Sequence, residues 1–164
     1  MKKISILGCG WLGLPLADHL IKLGHQVTGS TTTTEKSDLL TKKGYNNVVL
    51  KFNPHPEGRD FQRLFETDLI VINIPPRTRT AAPTFHPEQI KFLKEMILQK
   101  KVSKVIYVSA TSVYPDANQV ARESDLLTKE NTGNTALFDA ENSLWKDKTY
   151  DLTVVRFSGL LGVD

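Results

Sequence analysis

The chain has 164 residues, of which 40% are hydrophobic, 24% charged and 8% aromatic. These fractions exclude disorder, collagen-like repeats and coiled-coil composition, and the length suits one domain whose core needs neither disulfide nor metal. Lys and Arg exceed Asp and Glu by three, yet the basic residues are scattered, the densest being Lys2-Lys3, Lys42-Lys43 and Lys100-Lys101. Nucleic-acid binding is therefore not expected. Cys9 is the one cysteine and has no disulfide partner in the chain; His19, His25, His55 and His86 show no ligand spacing. The expectation is a reducing, cytoplasmic setting without a metal site.

Met1-Lys2-Lys3 followed by an apolar run to Ala17 has the outline of a secretory signal, and Gly8-Cys9 that of a lipoprotein cleavage site. Gly8, Gly10, Gly13 and Pro15 interrupt the run, and the cysteine comes too early for an adequate apolar region to precede it. No stretch of about 18 consecutive apolar residues marks a membrane span.

In chain order, strands are expected at Ile4 to Leu7, Gln26 to Thr28, Val48 to Leu50, Leu69 to Ile74, Val105 to Val108 and Leu152 to Val155. Several are continuous apolar runs, which suits a parallel sheet covered on both faces. The first helix carries Leu12, Leu16, Leu20 and Leu23 as one buried stripe, with Pro15 in its first turn, where a missing N–H costs little. A second helix is expected over Glu35 to Lys43, ending at Gly44. A third begins with Pro87 as its first residue, turns Ile90, Leu93 and Ile97 inward and finishes at Lys100-Lys101. Thr135 to Lys148 forms a fourth around Ala136, Ala140 and Leu144, and a short helix lies between Asp60 and Glu66. Alternating strands and helices predict right-handed crossovers and an α/β, Rossmann-like, doubly wound parallel sheet of about six strands in three layers.

Gly8-Cys9-Gly10-Trp11-Leu12-Gly13 reads G-x-G-x-x-G between the first strand and the first helix. That context makes it a dinucleotide signal: Gly8 permits the tight turn, Gly10 admits a pyrophosphate, and Gly13 lets the helix lie close to the sheet. The free amides of Trp11 and Leu12 would face the phosphates at the positive end of the helix dipole. Cys9 reads as a small apolar packing residue. After the second strand, where NAD sites place an acid, stand Thr31 and Thr32 within Thr31-Thr32-Thr33-Thr34. Hydroxyls without a carboxylate favour NADP, though no arginine stands in the run and Lys36 is the nearby cation, so NAD stays open. The same threonines also suit an N-cap for the next helix.

The fifth strand continues as Ser109-Ala110-Thr111-Ser112-Val113-Tyr114, and the sixth as Arg156-Phe157-Ser158-Gly159-Leu160-Leu161-Gly162. With the glycine loop, these stretches resemble the extended short-chain dehydrogenase/reductases, the NAD-dependent epimerase/dehydratase family. The resemblance implies an oxidoreductase or epimerase that binds NAD(P), acting on a small-molecule substrate such as a nucleotide-sugar. It further implies cofactor contacts from Ser109, from Ile74 and Pro75 along the groove, and from Asn53 near adenine, although Asn53-Pro54 equally reads as a turn. The departures are specific. Leu7 stands where that family's first glycine falls, and Ala110 stands four residues before Tyr114, where family catalysis uses Ser or Thr. Aligning Glu141 with the family's helix acid puts Gly133 at the catalytic tyrosine and Leu137 at its lysine; no tyrosine in the chain has a lysine four residues later. The catalytic set is thus expected to be atypical or defective, and no catalytic residue is assigned.

Thr111 and Ser112 suit either orienting a carbonyl or satisfying backbone groups at the strand end, Tyr114 reads as packing, and Arg77 and Arg79 suit either an anionic substrate or solvent. Two alternatives remain: a non-catalytic dinucleotide sensor, and a dehydrogenase of the UDP-glucose or 6-phosphogluconate kind, whose glycine loop the run Gly10 to Ala17 also resembles. Residues 1–164 read as one NAD(P)-binding domain, lacking the C-terminal substrate-binding part that the resemblance implies. The resemblance also implies a homodimer through the helices at Pro87 to Lys101 and Thr135 to Lys148, although apolar stripes at that spacing equally suit a sheet-facing core.

Overall fold

A computed structural model describes residues 1–77 and 80–162. In chain order the elements are β1 (Lys3–Leu7), α1 (Gly13–Lys22), β2 (Gln26–Thr31), α2 (Thr34–Lys42), β3 (Asn46–Val49), β4 (Lys51–Phe52), β5 (Pro56–Glu57), a 3-10 turn (Phe61–Phe65), β6 (Leu69–Ile72), α3 (Phe85–Gln99), β7 (Lys104–Ala110), a second 3-10 turn (Thr111–Val113), α4 (Thr135–Trp145) and β8 (Asp151–Phe157). Six strands form a parallel sheet in the order β3-β2-β1-β6-β7-β8. This is the Rossmann-like arrangement expected from the sequence, and the chain reverses direction across the sheet between β1 and β6. The loops leaving those two strands diverge there, so a crevice opens at their carboxyl ends.

Side chains alternate between two cores. Ile4, Ile6, Val27 and Val71 face Ala17 of α1 and Leu40 of α2 on one side. On the other, Leu7, Ile70, Ile72, Val105 and Tyr107 pack against Ile90, Leu93 and Ile97 of α3 and Ala140 and Leu144 of α4. Burying each of the three α3 side chains stabilises the fold by about 2 kcal/mol. The apolar stripes of both helices therefore face the sheet.

The α1 stripe is centred differently from expectation. Gly13 and Ala17 are its buried residues, Leu16 and Leu20 flank them, and Leu23 is 60% exposed. The close approach of helix to strand leaves room for small residues at the centre and moves the leucines to the sides. Helix α3 starts two residues before Pro87, which still lies in the first turn, where an N–H has no partner to lose. Helix α4 stops at Trp145 because Lys146 is extended and Asp147 turns left-handed, with φ +50°. Strand β3 begins at Asn46, and Leu50 follows it into a β4–β5 hairpin that the sequence did not signal. Strand β6 ends at Ile72, and Asn73 and Ile74 lie beyond it. Polar partners carry β2 on to Thr31: Ser30 accepts at both its hydroxyl and its carbonyl from the glycine loop.

His86, in the first turn of α3, is 1% exposed and lies between Gln89 Oε1 at 3.1 Å and the Tyr107 hydroxyl at 2.7 Å. Burial holds its pKa down at about 4, and raises that of Tyr107. The folded state thus resists protonation that the unfolded chain accepts near pH 6.5, so this stabilisation is complete above pH 6.5 and is lost as pH falls toward 4. Urea midpoints should fall across that window by the equivalent of about 3 kcal/mol. His86→Gln should flatten the profile; an equally steep fall in that variant would assign it to other groups.

Candidate functional site

The turn after β1 is tied to strands on both sides. Gly8 N–H donates to Ser30 Oγ at 3.0 Å, Cys9 N–H to Ser30 O at 2.8 Å, and Asn73 Nδ2 to Gly8 O at 3.0 Å. Gly8 has φ +98°, and a Cβ there would run into the Asn73 carbonyl. A Cβ on Gly13 would strike the carbonyl of Gly8, whereas one on Gly10 would meet nothing within 4 Å. Two glycines are thus required by packing, and the third borders open space. Cys9 is buried, which pushes its thiol up, consistent with a packing role.

Leu12 caps α1 without a side-chain hydrogen bond, and the first helical bond runs from Leu14 N–H to Gly10 O. Among the described residues no acceptor engages the amides of Trp11 and Leu12. They stand at the positive end of the helix beside a cleft of about 590 Å³.

Of the residues predicted from sequence, Gly8, Gly10, Trp11, Leu12, Thr31, Thr32, Ile74, Pro75 and Ser109 all line this cleft. Gly13 lies beneath it as the first residue of α1. Asn53 does not line it: the residue is exposed in the β4–β5 turn, where its N–H donates to His55 O at 3.0 Å. Leu50 and Phe52 line the cleft instead, so Asn53 serves the turn that Asn53-Pro54 also suggested.

Thr31 is buried and its hydroxyl donates to Thr33 O at 3.2 Å, while Thr33 caps α2 by accepting from Lys36 N–H. Thr32 and Lys36 remain exposed on the cleft side. Arg77 reaches the opposite rim from a left-handed residue, φ +50°, whose carbonyl accepts from Thr80 and Ala81. Arg79 lies outside the described residues. Among the described lining residues, the charged ones are Lys36 and Arg77, both cationic.

The far end, at the termini of β7 and β8, is lined by Ser109, Ala110, Leu137, Phe157 and Ser158. Beneath it Glu141 of α4, 3% exposed, holds Arg156 by two hydrogen bonds, and Arg156 reaches the Tyr114 hydroxyl. Those bonds raise the guanidinium pKa. Tyr114 is therefore a polar partner as well as a packing residue. Gly133 N–H donates to Val113 O, and a Cβ on Gly133 would strike the carbonyls of Tyr114 and Ser112. Leu137 is 2% exposed. Thr111 and Ser112 are exposed and lie outside the cleft lining. Sequence reasoning passed over Asn73 and Gln89; the position of Asn73 directly after an apolar strand was a usable signal, and that of Gln89 on an amphipathic helix was not.

A parallel sheet with an anion-ready helix start at its switch point defines a nucleotide-binding Rossmann domain. Residues 3–130 match the family model described as the NAD binding domain of 6-phosphogluconate dehydrogenase, and the chain belongs to that family. The curated protein YeeZ of Escherichia coli strain K12 is 30% identical over 164 residues, which cover 99% of this chain and 60% of that protein. The chain thus spans about 60% of the length of the curated relatives it matches. Among solved structures, the UDP-N-acetylglucosamine 4-epimerase from Bacillus cereus superposes with a TM-score of 0.75 at 18% identity, covering 99% of this chain and 60% of that one. Yeast methylglyoxal/isovaleraldehyde reductase Gre2, complexed with NADPH, gives 0.70 at 15% identity over 95% of this chain and 57% of that one. These likenesses establish the shared fold.

The glycines separate folding from binding. Gly10→Val should leave the thermal midpoint within about 2 °C of wild type and abolish nucleotide binding, because a Cβ there meets nothing within 4 Å and the residue lines the cleft. Gly8→Val should lower stability by several kcal/mol, on the order of 3, through backbone strain and collision with Asn73. Undiminished binding in folded Gly10→Val would place the phosphates elsewhere.

Proposed function

We propose that this domain binds NADP(H) across the carboxyl ends of its parallel strands, and that its likeness to the epimerase/dehydratase enzymes stops short of their proton-transfer set. The observation that carries the reading is the cleft itself: unengaged amides at the start of α1, flanked by Lys36 and Arg77, with no acidic residue among its described lining. Gly8, Gly10, Trp11, Leu12 and Gly13 would hold the pyrophosphate, with Thr31 and Thr32 at the adenosine ribose and Ile74 and Pro75 as an apolar wall that excludes water. Lys36 beside Thr32 supports preference for a 2′-phosphate, since a cation and the Thr32 hydroxyl stand where NAD sites carry a carboxylate, the Thr31 hydroxyl being committed to Thr33 O.

When bound, the dinucleotide supplies a hydride donor or acceptor. What this chain adds at the far end is orientation rather than acid–base chemistry. Leu137 cannot lower the pKa of a phenol, and Gly133 sits where a larger side chain collides with Tyr114. These two positions also favour a second reading, a dinucleotide sensor without turnover. The dehydrogenase alternative draws support from the family match over residues 3–130.

Fluorescence titration with NADPH and NADH tests the proposal directly, and a nucleotide-sugar panel separates enzyme from sensor. NADPH should bind more tightly than NADH. Lys36→Glu should reduce that preference about tenfold, by placing a carboxylate where a charge-assisted contact to phosphate is expected. An unaltered ratio would remove Lys36 from cofactor selection; failure of both nucleotides to bind would end the proposal.

A further inference from the structure

Ser109 is 5% exposed, lines the cleft and donates its hydroxyl proton to Glu141 Oε1 at 2.6 Å. Glu141 is occupied on both oxygens by Arg156, through Nε at 3.2 Å and Nη2 at 2.7 Å. The remaining arm of the guanidinium, Nη1, donates to the Tyr114 hydroxyl at 2.7 Å, and its carbon lies 4.9 Å from that ring's centroid. A carboxylate paired in this way only accepts, so the single proton of Ser109 is committed to it. The Ser109 oxygen is left with lone pairs alone for anything in the cleft.

We infer that Glu141 is a positioning residue which makes Ser109 an acceptor-only contact for an O–H or N–H donor on the nicotinamide-side half of the bound dinucleotide. The inference rests on the dinucleotide reading above. Sheet order assigns the half: the phosphate-facing loop follows β1, Thr31 ends β2 with Thr32 and Lys36 beyond it on one side, and Ser109 is the last residue but one of β7 on the other. A ribose hydroxyl and the carboxamide N–H share the required chemistry. A bare ligand carbonyl does not, because Ser109 has no proton to offer it.

ADP, ADP-ribose and NADH, titrated against the same variants, distinguish the outcomes. Ser109→Ala should weaken NADH binding about tenfold, the effect of one lost hydrogen bond, and leave ADP unchanged. Ser109→Thr should restore affinity. A loss already present with ADP-ribose assigns the donor to the ribose, and one that first appears with NADH assigns it to the carboxamide. Glu141→Gln should show the same split between ADP and NADH, because an amide donating to Ser109 turns the hydroxyl proton toward a ligand donor. Unchanged NADH affinity in Ser109→Ala, or an equal loss for ADP, overturns the inference. Where wild-type protein binds NADPH but not NADH, the 2′-phosphorylated forms of the same three ligands give the same comparison; wild-type protein that binds neither NADPH nor NADH instead removes the dinucleotide reading.

Discussion

The molecule depends on how the first strand ends. Ser30 of β2 accepts the N–H groups of Gly8 and Cys9, and Asn73 beyond β6 donates to the carbonyl of Gly8. The two strands flanking β1 thus hold its turn, and in doing so engage both backbone groups of Gly8 and the N–H of Cys9. The amides that follow, at Trp11 and Leu12, are left facing the crevice. The cost of burying Ser30 is offset because both of its oxygens accept from the turn, whereas an apolar residue there would leave the Gly8 N–H without its side-chain acceptor. The same constraint lengthens β2 beyond its apolar core and sets the path of the threonine run into α2.

The two halves of the cleft use opposite physics. Around β2 the lining offers hydroxyls, a lysine and a capped helix start, groups suited to a charged ligand that keeps some solvent. Around β7 and β8 it offers Leu137, Ala110 and Phe157 over an ion pair whose carboxylate is buried and whose guanidinium is partly exposed, neither of them lining the cleft. A ligand anionic at one end and planar at the other matches that gradient. A compact polyanion would leave the far half unfilled.

Most of the architecture was legible because apolar β-branched runs and helical stripes are set by burial, which the sequence writes directly. All six sheet strands and four helices stand where the periodicity puts them. The errors fall where burial is not the deciding force. Residues 29–31 extend β2 through polar partnerships, Phe52 turns inward while Asn53 faces solvent, and Gly13 with Ala17 replaces the leucines at the helix–sheet contact. The glycine loop and the separate roles of Gly8, Gly10 and Gly13 were readable from its spacing, but the contacts that set Gly8 and Gly13 apart from Gly10 were not. That difference lies in distant atoms, the Asn73 and Gly8 carbonyls, that a Cβ would meet. The link between Ser109 and Glu141, 32 residues apart, was equally hidden in a local pattern.

The Glu141–Arg156 pair is costly by ordinary standards. The Glu141 carboxylate is removed from water beside a guanidinium that is only partly so, which is repaid only when its lone pairs are used, and apolar replacements of similar volume often stabilise a fold more. Here each guanidinium nitrogen is engaged, and the carboxylate also takes the Ser109 proton. The sheet does not need the pair for register: Ser109 already faces Arg156 across the β7–β8 ladder through backbone bonds, and Tyr107, Val105 and Leu144 supply the packing beneath. What an apolar pair could not provide is direction. With Glu141 in place, the serine at the mouth of β7 has one hydrogen-bonding polarity instead of two, and a site with one polarity discriminates among ligands that a freely rotating hydroxyl would accept alike.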